Sequence, residues 1–231
     1  MQRAGEEFLS RLAASAREAV AMGRYEVDRH PSSRRSLCRA IATSNFLPII
    51  AEVKYRSPAE GPIRRAEGAA GMARLYARGG AVAISVLTEE KHFEGRLERI
   101  GADAVLLIAG LFTRALSAAS LQEMIAHSHS RGLEVLLETH TAEEYLMAGQ
   151  TEADLVGINN RNLDTLEVSI DTSYRLLGSY PHVKPVVCES GIKTRKQAVS
   201  LIKAGANALL IGSTLMRSRD PTESIRRLAG E

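Results

Sequence analysis

The 231 residues are 45% apolar and 25% charged, which suits one compact domain with a sizeable core and excludes a disordered or fibrous chain. Thirty basic against 27 acidic residues leave a net charge of +3, and aromatics are 4% with no Trp, so no nucleic-acid stacking surface or polybasic membrane patch is expected. No run approaches the roughly 18 apolar residues of a membrane span, and the start is amphipathic and charged rather than a signal peptide, so the cytoplasm is the expected location. Cys38 and Cys188 lack the spacing of a disulfide framework or a zinc site, and no metal is expected.

Residues 1–46 read as a helical extension of a single domain spanning 1–231. FLSRLAASAREAVAM and SSRRSLCRAIATS have the periodicity of two amphipathic helices, and the stretch is too long for a simple loop. It is expected to pack on one end of the strand-bearing region that begins near residue 47. There, short Val-, Ile- and Leu-rich runs alternate with helical patterns: LPIIAEV (47–53), AVAISVL (81–87), DAVLLI (103–108), LEVLLE (133–138), DLVGIN (154–159), KPVVCE (184–189) and NALLIG (207–212). Such runs suit strands of a parallel sheet covered on both faces. Helix starts are marked by Thr141 with Glu144 and Thr194 with Gln197, both fitting the capping box, and by Asp220 before Pro221.

The count gives seven strands where a closed (β/α)₈ barrel has eight. The shortfall falls between Thr88 and Gly101, where only EEKHFEGRLERI intervenes and at most RLERI could be helical. A crossover between parallel strands usually takes a dozen or more residues, most of them helix.

Several polar residues sit at the carboxyl ends of these strands, where barrel enzymes place their chemistry. Glu52 and Lys54 are two apart and share a strand face, so they could anchor an anion as a pair. Glu138 closes LEVLLE; apolar walls should raise its pKa and suit it to general acid or base work. His140 reads as a loop or capping residue. Asn159, Asn160 and Arg161 follow the next strand, the arginine offering a planar fork for a carboxylate or phosphate. ESGIKT (189–194) and LIGSTLM (210–216) follow the last two strands, the usual place for a phosphate in such barrels. His127 and His129, two apart, do not share a helix face, and Cys188 reads as core packing.

The stretches IIAEVKYRSPAEGPI, AVAISVLTEEKHFEG, GADAVLLIAGL, GLEVLLETHTAEE, GINNRNLDTLEV, ESGIKTR and GANALLIGSTLMRSRDP, in this order, closely resemble the indole-3-glycerol-phosphate synthase family of tryptophan biosynthesis. They cover nearly all of the chain after residue 46. The resemblance implies a TIM (β/α)₈-type barrel with an N-terminal helical extension. It implies a lyase that converts 1-(o-carboxyphenylamino)-1-deoxyribulose 5-phosphate into indole-3-glycerol phosphate, carbon dioxide and water without a cofactor. Partners would be the phosphorylated substrate and other tryptophan-pathway enzymes, with no nucleic acid and no membrane.

Position by position, the resemblance makes Glu138 the general base and Lys54 the holder of the substrate's anionic end, with Glu52 and Asn159 assisting ring closure and loss of water. Arg161, Ser57, Pro58, Phe93 and Leu163 would line the pocket. Glu189 and Ser190 would flank the reacting centre, and backbone groups of Gly191, Gly212 and Ser213 would hold the phosphate. One departure stands out. The family normally inserts a helix, a third strand with a Leu-Arg-Lys-Asp-Phe-like motif and another helix before GADAVLLI, whereas here LERI runs straight into it. About one βα unit, on the order of 30 residues, is missing, and with it the lysine that serves resembling enzymes as general acid. Severely reduced synthase activity is the expectation. The alternatives are a catalytically silent barrel that binds a phosphorylated ligand or partner, and a phosphoribosylanthranilate-isomerase-like barrel.

Overall fold

The computed structural model describes residues 3–22, 35–64, 68–95 and 102–230, with side chains in the first helix from Phe8 onward. The seven expected runs form one parallel sheet: β1 (Ile49–Val53), β4 (Ala83–Val86), β5 (Ala104–Ile108), β6 (Glu134–Thr139), β7 (Leu155–Asn159), β8 (Val186–Glu189) and β9 (Ala208–Ile211). Two short strands, β2 (Arg56–Ser57) and β3 (Gly61–Pro62), make an antiparallel hairpin after β1. The spatial order is β4-β1-β9-β8-β7-β6-β5, with every pairing parallel. Among the described residues this is the circular order of a barrel with a single break. The break lies between β4 and β5, where the sequence is one βα unit short.

Helices α3 (Ala69–Arg78), α6 (Leu121–Ser130), α7 (Ala142–Gly149), α8 (Asp171–Ser179), α9 (Arg195–Lys203) and α11 (Pro221–Ala229) supply the outer layer, while α4 (Glu90–Phe93), α5 (Ala109–Thr113) and α10 (Ser213–Met216) are short turns after strands. Alternate strand residues Ile49, Ala51, Val135, Leu137, Val156, Ile158, Cys188 and Leu209 are buried with Met72, Tyr76, Leu176 and Leu201 from these helices. The Thr194–Gln197 capping box forms in full, and Asp220 caps α11 through the Glu223 N–H at 3.0 Å. Thr141 caps α7, but the Glu144 carboxylate turns to the His140 N–H at 2.7 Å instead of completing the box. No described helix is long and apolar enough to cross a membrane.

The other strand face lines the barrel interior. Its lower layer contains Ile50, Leu136, Leu155, Val187, Ala208 and Leu210, closed from below by Ile41 of α2 (Leu37–Ala42). That helix is fixed to the start of β6, where Glu134 accepts from the Ser36 hydroxyl and the Cys38 N–H at 2.5 and 2.9 Å. α2 is shorter than its sequence pattern, part of which, like RLERI, lies outside the described residues. The effect of the break shows at Leu106, which is 36% exposed although its register partner Leu136 is only 4% exposed. About a third of its burial is unrealised, on the order of 1 kcal/mol.

Helix α1 (Arg3–Ala21) packs at the opposite end and reaches across the break. Its Ser15 hydroxyl donates to Glu89, beyond β4, at 2.7 Å, while Arg17 donates to the Leu116 carbonyl, beyond β5, at 2.9 Å. Phe8 and Leu9 bury against Leu163, with Phe93, Ile108 and Leu111 alongside. The extension therefore closes both ends of the barrel, α2 below and α1 above, where the sequence pattern suggests one end.

Candidate active site

Strand register brings three carboxylates into the upper interior layer. Glu52 on β1, Glu138 on β6 and Glu189 on β8 are all buried, as is Asn159 on β7. Two glycines on intervening strands allow this crowding. Gly157 of β7 pairs with Glu138, and a Cβ there would overlap the Glu189 carboxylate. Gly212, just past β9, occupies the same relation to Glu52, whose carboxylate fills the space of the absent side chain. Glu189 and Glu52 thus each lean over a position that offers no side chain, and Glu138 and Glu189 meet across Gly157. The sequence pattern suggests a backbone anion binder at Gly212 and no role for Gly157.

Electrostatics separates the three acids. Lys54 Nζ lies 2.6 Å from Glu52 Oε2, so each has an oppositely charged partner in a layer where a lone ion would be costly. Burial pushes Glu189 well above the usual carboxylate range, and the negative charges of Glu138 and Glu52 push the same way. Glu138 goes in the opposite direction. Burial raises it, but His140, followed by contacts from Asn159 and Glu189, more than offsets this and holds it below the ordinary value. The expectation that apolar walls raise Glu138 is therefore corrected: the neighbouring imidazole outweighs the walls, and the raised acid is Glu189.

His140, a loop or capping residue on sequence grounds, is instead a buried part of the site. Its Nε2 lies 3.2 Å from Glu138 Oε1 and its Nδ1 3.6 Å from Glu144 Oε2. Burial opposes its charge, but the two carboxylates win and lift its pKa to about 9. Only the i to i+4 spacing of His140 and Glu144 at a helix start signals the contact in the sequence.

The remaining residues divide between pocket wall and scaffold. Asn159 Oδ1 accepts from the Arg161 N–H at 2.9 Å, and the Arg161 guanidinium donates to the Leu166 carbonyl and lies 3.6 Å from Glu60. Glu60 also pairs with Arg217 at 2.8 Å, so the hairpin carrying buried Ser57 and exposed Pro58 is drawn over the mouth. Phe93 and Leu163 pack in the apolar cluster under α1. Asn160 donates to the Ser190 carbonyl at 3.0 Å and accepts from the Ser173 hydroxyl, bracing a loop in which Ser190 and Gly191 both have positive φ, 63° and 77°. The Thr214 hydroxyl donates to the Ile192 carbonyl at 2.7 Å, joining that loop to the one at Gly212 and Ser213.

Among the described residues no cluster of His, Cys, Asp or Glu could hold a metal ion. His129 instead contacts Asp154 at 2.9 Å. Cys188 is fully buried, and burial pushes its thiol up to about 12.

A family model described as "Indole-3-glycerol phosphate synthase" matches residues 9–100 and 98–228. The chain belongs to the indole-3-glycerol phosphate synthase family. Curated proteins of that name share 37% identity in Exiguobacterium sibiricum (80% of this chain, 81% of that protein), 38% in Bacteroides thetaiotaomicron (85% and 84%) and 34% in Burkholderia ambifaria (96% and 98%). The last alignment runs over 261 positions, more than the 231 residues of the chain, so it must cross a stretch that this member lacks. The two matched segments meet at the same point, beside the break in the sheet. Solved structures show the fold alone. Thiamine phosphate pyrophosphorylase from Pyrococcus furiosus superposes with a TM-score of 0.55 at 17% identity, covering 79% of this chain and 93% of that one. N-acetylmannosamine-6-phosphate 2-epimerase from Clostridium perfringens gives 0.51 at 14%, covering 89% and 99%.

Proposed function

We propose that the mouth of this open barrel binds 1-(o-carboxyphenylamino)-1-deoxyribulose 5-phosphate and retains the carboxylate half of the indole-3-glycerol phosphate synthase machinery, without its third-strand lysine. The observation that carries this reading is the convergence of Glu52, Glu138, Asn159 and Glu189 in one buried layer at the strands' carboxyl ends, with half-buried Lys54 paired to Glu52. Ring closure joins the aromatic carbon bearing the carboxylate to the ribulose ketone carbon, whose oxygen must gain a proton. Carbon dioxide then leaves, its bonding pair returning to the ring, and loss of hydroxide with a proton completes the indole.

In this scheme Glu138, held as a carboxylate, takes the proton released during dehydration. Lys54 and Glu52 hold the anionic and hydroxyl-bearing parts, and Asn159 orients Glu138. The joined loops at Gly191 and Gly212–Ser213 receive the phosphate, while Arg161, Ser57, Pro58, Phe93, Leu163 and Ser190 shape the approach. The weak point is protonation of the ketone oxygen. Lys54 is engaged with Glu52, and Lys91 is paired with Glu18 of α1, so neither has the freedom of a dedicated acid. Cytoplasmic action beside other tryptophan-pathway enzymes fits this role.

The test is to measure binding of a reduced, unreactive substrate analogue by calorimetry together with product formation. Analogue binding weakened by Lys54→Met, with slow turnover, supports the reading. Absence of analogue binding at millimolar concentration overturns it.

A further inference from the structure

The buried titratable groups of the mouth form a continuous line from α7 to β1: Glu144, His140, Glu138, Glu189 and the Glu52–Lys54 pair. The family resemblance gives roles to Glu138 and Glu189 but none to His140 or Glu144. His140 lies between two carboxylates, and its own N–H donates to Glu144, which fixes that acid against the ring from the other side. The Nε2 approach to Glu138 at 3.2 Å is not aligned as a hydrogen bond, so the contact is one of opposite charges. Asp164 also acts on this group from the β7 loop, but it is held by Arg114 through two contacts of 2.6 and 2.8 Å.

Two carboxyl groups meeting in a buried layer cannot both ionise at little cost, so the pair retains a proton. Which acid carries it depends on the flanking charges. Glu138 has the imidazole at one side and Asn159 at another. Glu189 faces two acids, Glu138 and Glu52, with Lys54 as the compensating cation, and its Oε1 is buried above Gly157 with no hydrogen-bond partner among the described residues.

We propose that His140 is a positioning residue: as an imidazolium clamped by Glu144, it keeps Glu138 a carboxylate and places the proton of the acid pair on Glu189. Glu189 is then the group in the mouth that can give a proton to the ketone oxygen in a chain lacking the family's lysine. The Glu189 O–H bond breaks as the new alcohol O–H bond forms, and the carboxylate left behind is reprotonated from solvent. This catalytic consequence rests on the function proposed above, whereas the protonation states do not, so the two can fail separately.

The experiment reads protonation directly, using infrared spectra of the 231-residue chain at neutral pH with carbon-13-labelled glutamate side chains. Wild type should show one buried protonated-carboxyl band, and Glu189→Gln should remove it because His140 keeps Glu138 ionised. Adding His140→Asn to Glu189→Gln should restore a band, now from Glu138. A band that persists in Glu189→Gln, a wild-type spectrum without one, or no reappearance in the folded double variant overturns the proposal. Should the double variant not fold, nuclear magnetic resonance titration of His140 decides. Its midpoint should lie above ~8 in wild type and fall by about a unit or more in Glu138→Gln, and a midpoint at the ordinary imidazole value in wild type refutes the clamp.

Discussion

Replacing Gly157 with alanine separates packing from chemistry at the mouth. The new Cβ would fall inside the Glu189 carboxylate, and at 3.3 Å from the Glu138 Cα it also crowds the neighbouring strand, whose backbone must give by a few tenths of an ångström. Because the obstructed atom is the far end of a flexible side chain, the strand survives and the carboxyl retreats by about 1 Å. Ala in place of a strand Gly contributes roughly 0.5–1 kcal/mol, and an off-rotamer Glu189 costs about 0.5–1.5 kcal/mol, so net stability changes by no more than about 1 kcal/mol. For a chain of this size that is a Tm shift within about 4 °C. The chemistry should suffer far more, since a displacement of about 1 Å can lower a rate by about 10²-fold. Thermal unfolding and indole-3-glycerol phosphate formation, measured in this chain and in one given the third βα unit, test both halves. An unchanged rate, or a Tm fall above about 10 °C, would refute the idea that Gly157 is glycine to seat Glu189.

Glu138→Gln should lower kcat by about 10²–10⁴-fold with little change in KM in the chain with the restored unit, because a proton-transfer residue acts mainly in the transition state; steady-state kinetics near wild type would remove it from the mechanism. The outer edges of β4 and β5 have no ladder partner among the described residues, and neither strand carries a Lys or Pro to guard it, so sedimentation velocity should show concentration-dependent self-association that Leu106→Lys reduces. A monomer at all concentrations would contradict this. His140 and Glu189 both bind protons more tightly folded than unfolded, so their contribution to stability is lost as pH rises, for His140 between 6.5 and about 9. The His140 share is on the order of 3 kcal/mol, and denaturant midpoints that stay flat from about pH 6.5 to 9.5 would rule it out.

Local rules account for what the sequence reveals. Apolar runs mark the strands, and the polar residues at or next to the end of each run must sit at the barrel mouth, so Glu52, Glu138, Asn159 and Glu189 are legible without coordinates. Counting crossover lengths also locates the shortfall between Thr88 and Gly101, and the sheet opens there, between β4 and β5. The rest depends on register between strands distant in sequence. That Gly157 separates Glu138 from Glu189, and that Gly212 receives Glu52, follows from parallel pairings no local pattern encodes. Burial alone predicts a raised Glu138. The sign reverses because His140, two residues later on the same strand direction, returns to the interior beside it. The bridging of the break by α1 is likewise a tertiary contact, made by Ser15 and Arg17 with residues 74 and 99 positions away.

An intact carboxylate layer has, on this account, lost its proton-donating neighbour with the third βα unit. Indole-3-glycerol phosphate formation by the purified 231-residue chain, beside the same chain with a family third βα unit inserted before Gly101, tests this most directly. The restored chain should turn over at a rate several orders of magnitude above the shorter one, while the shorter one still binds the substrate analogue weakly. Comparable rates from the two would show that the remaining groups suffice, and that the missing unit is not disabling.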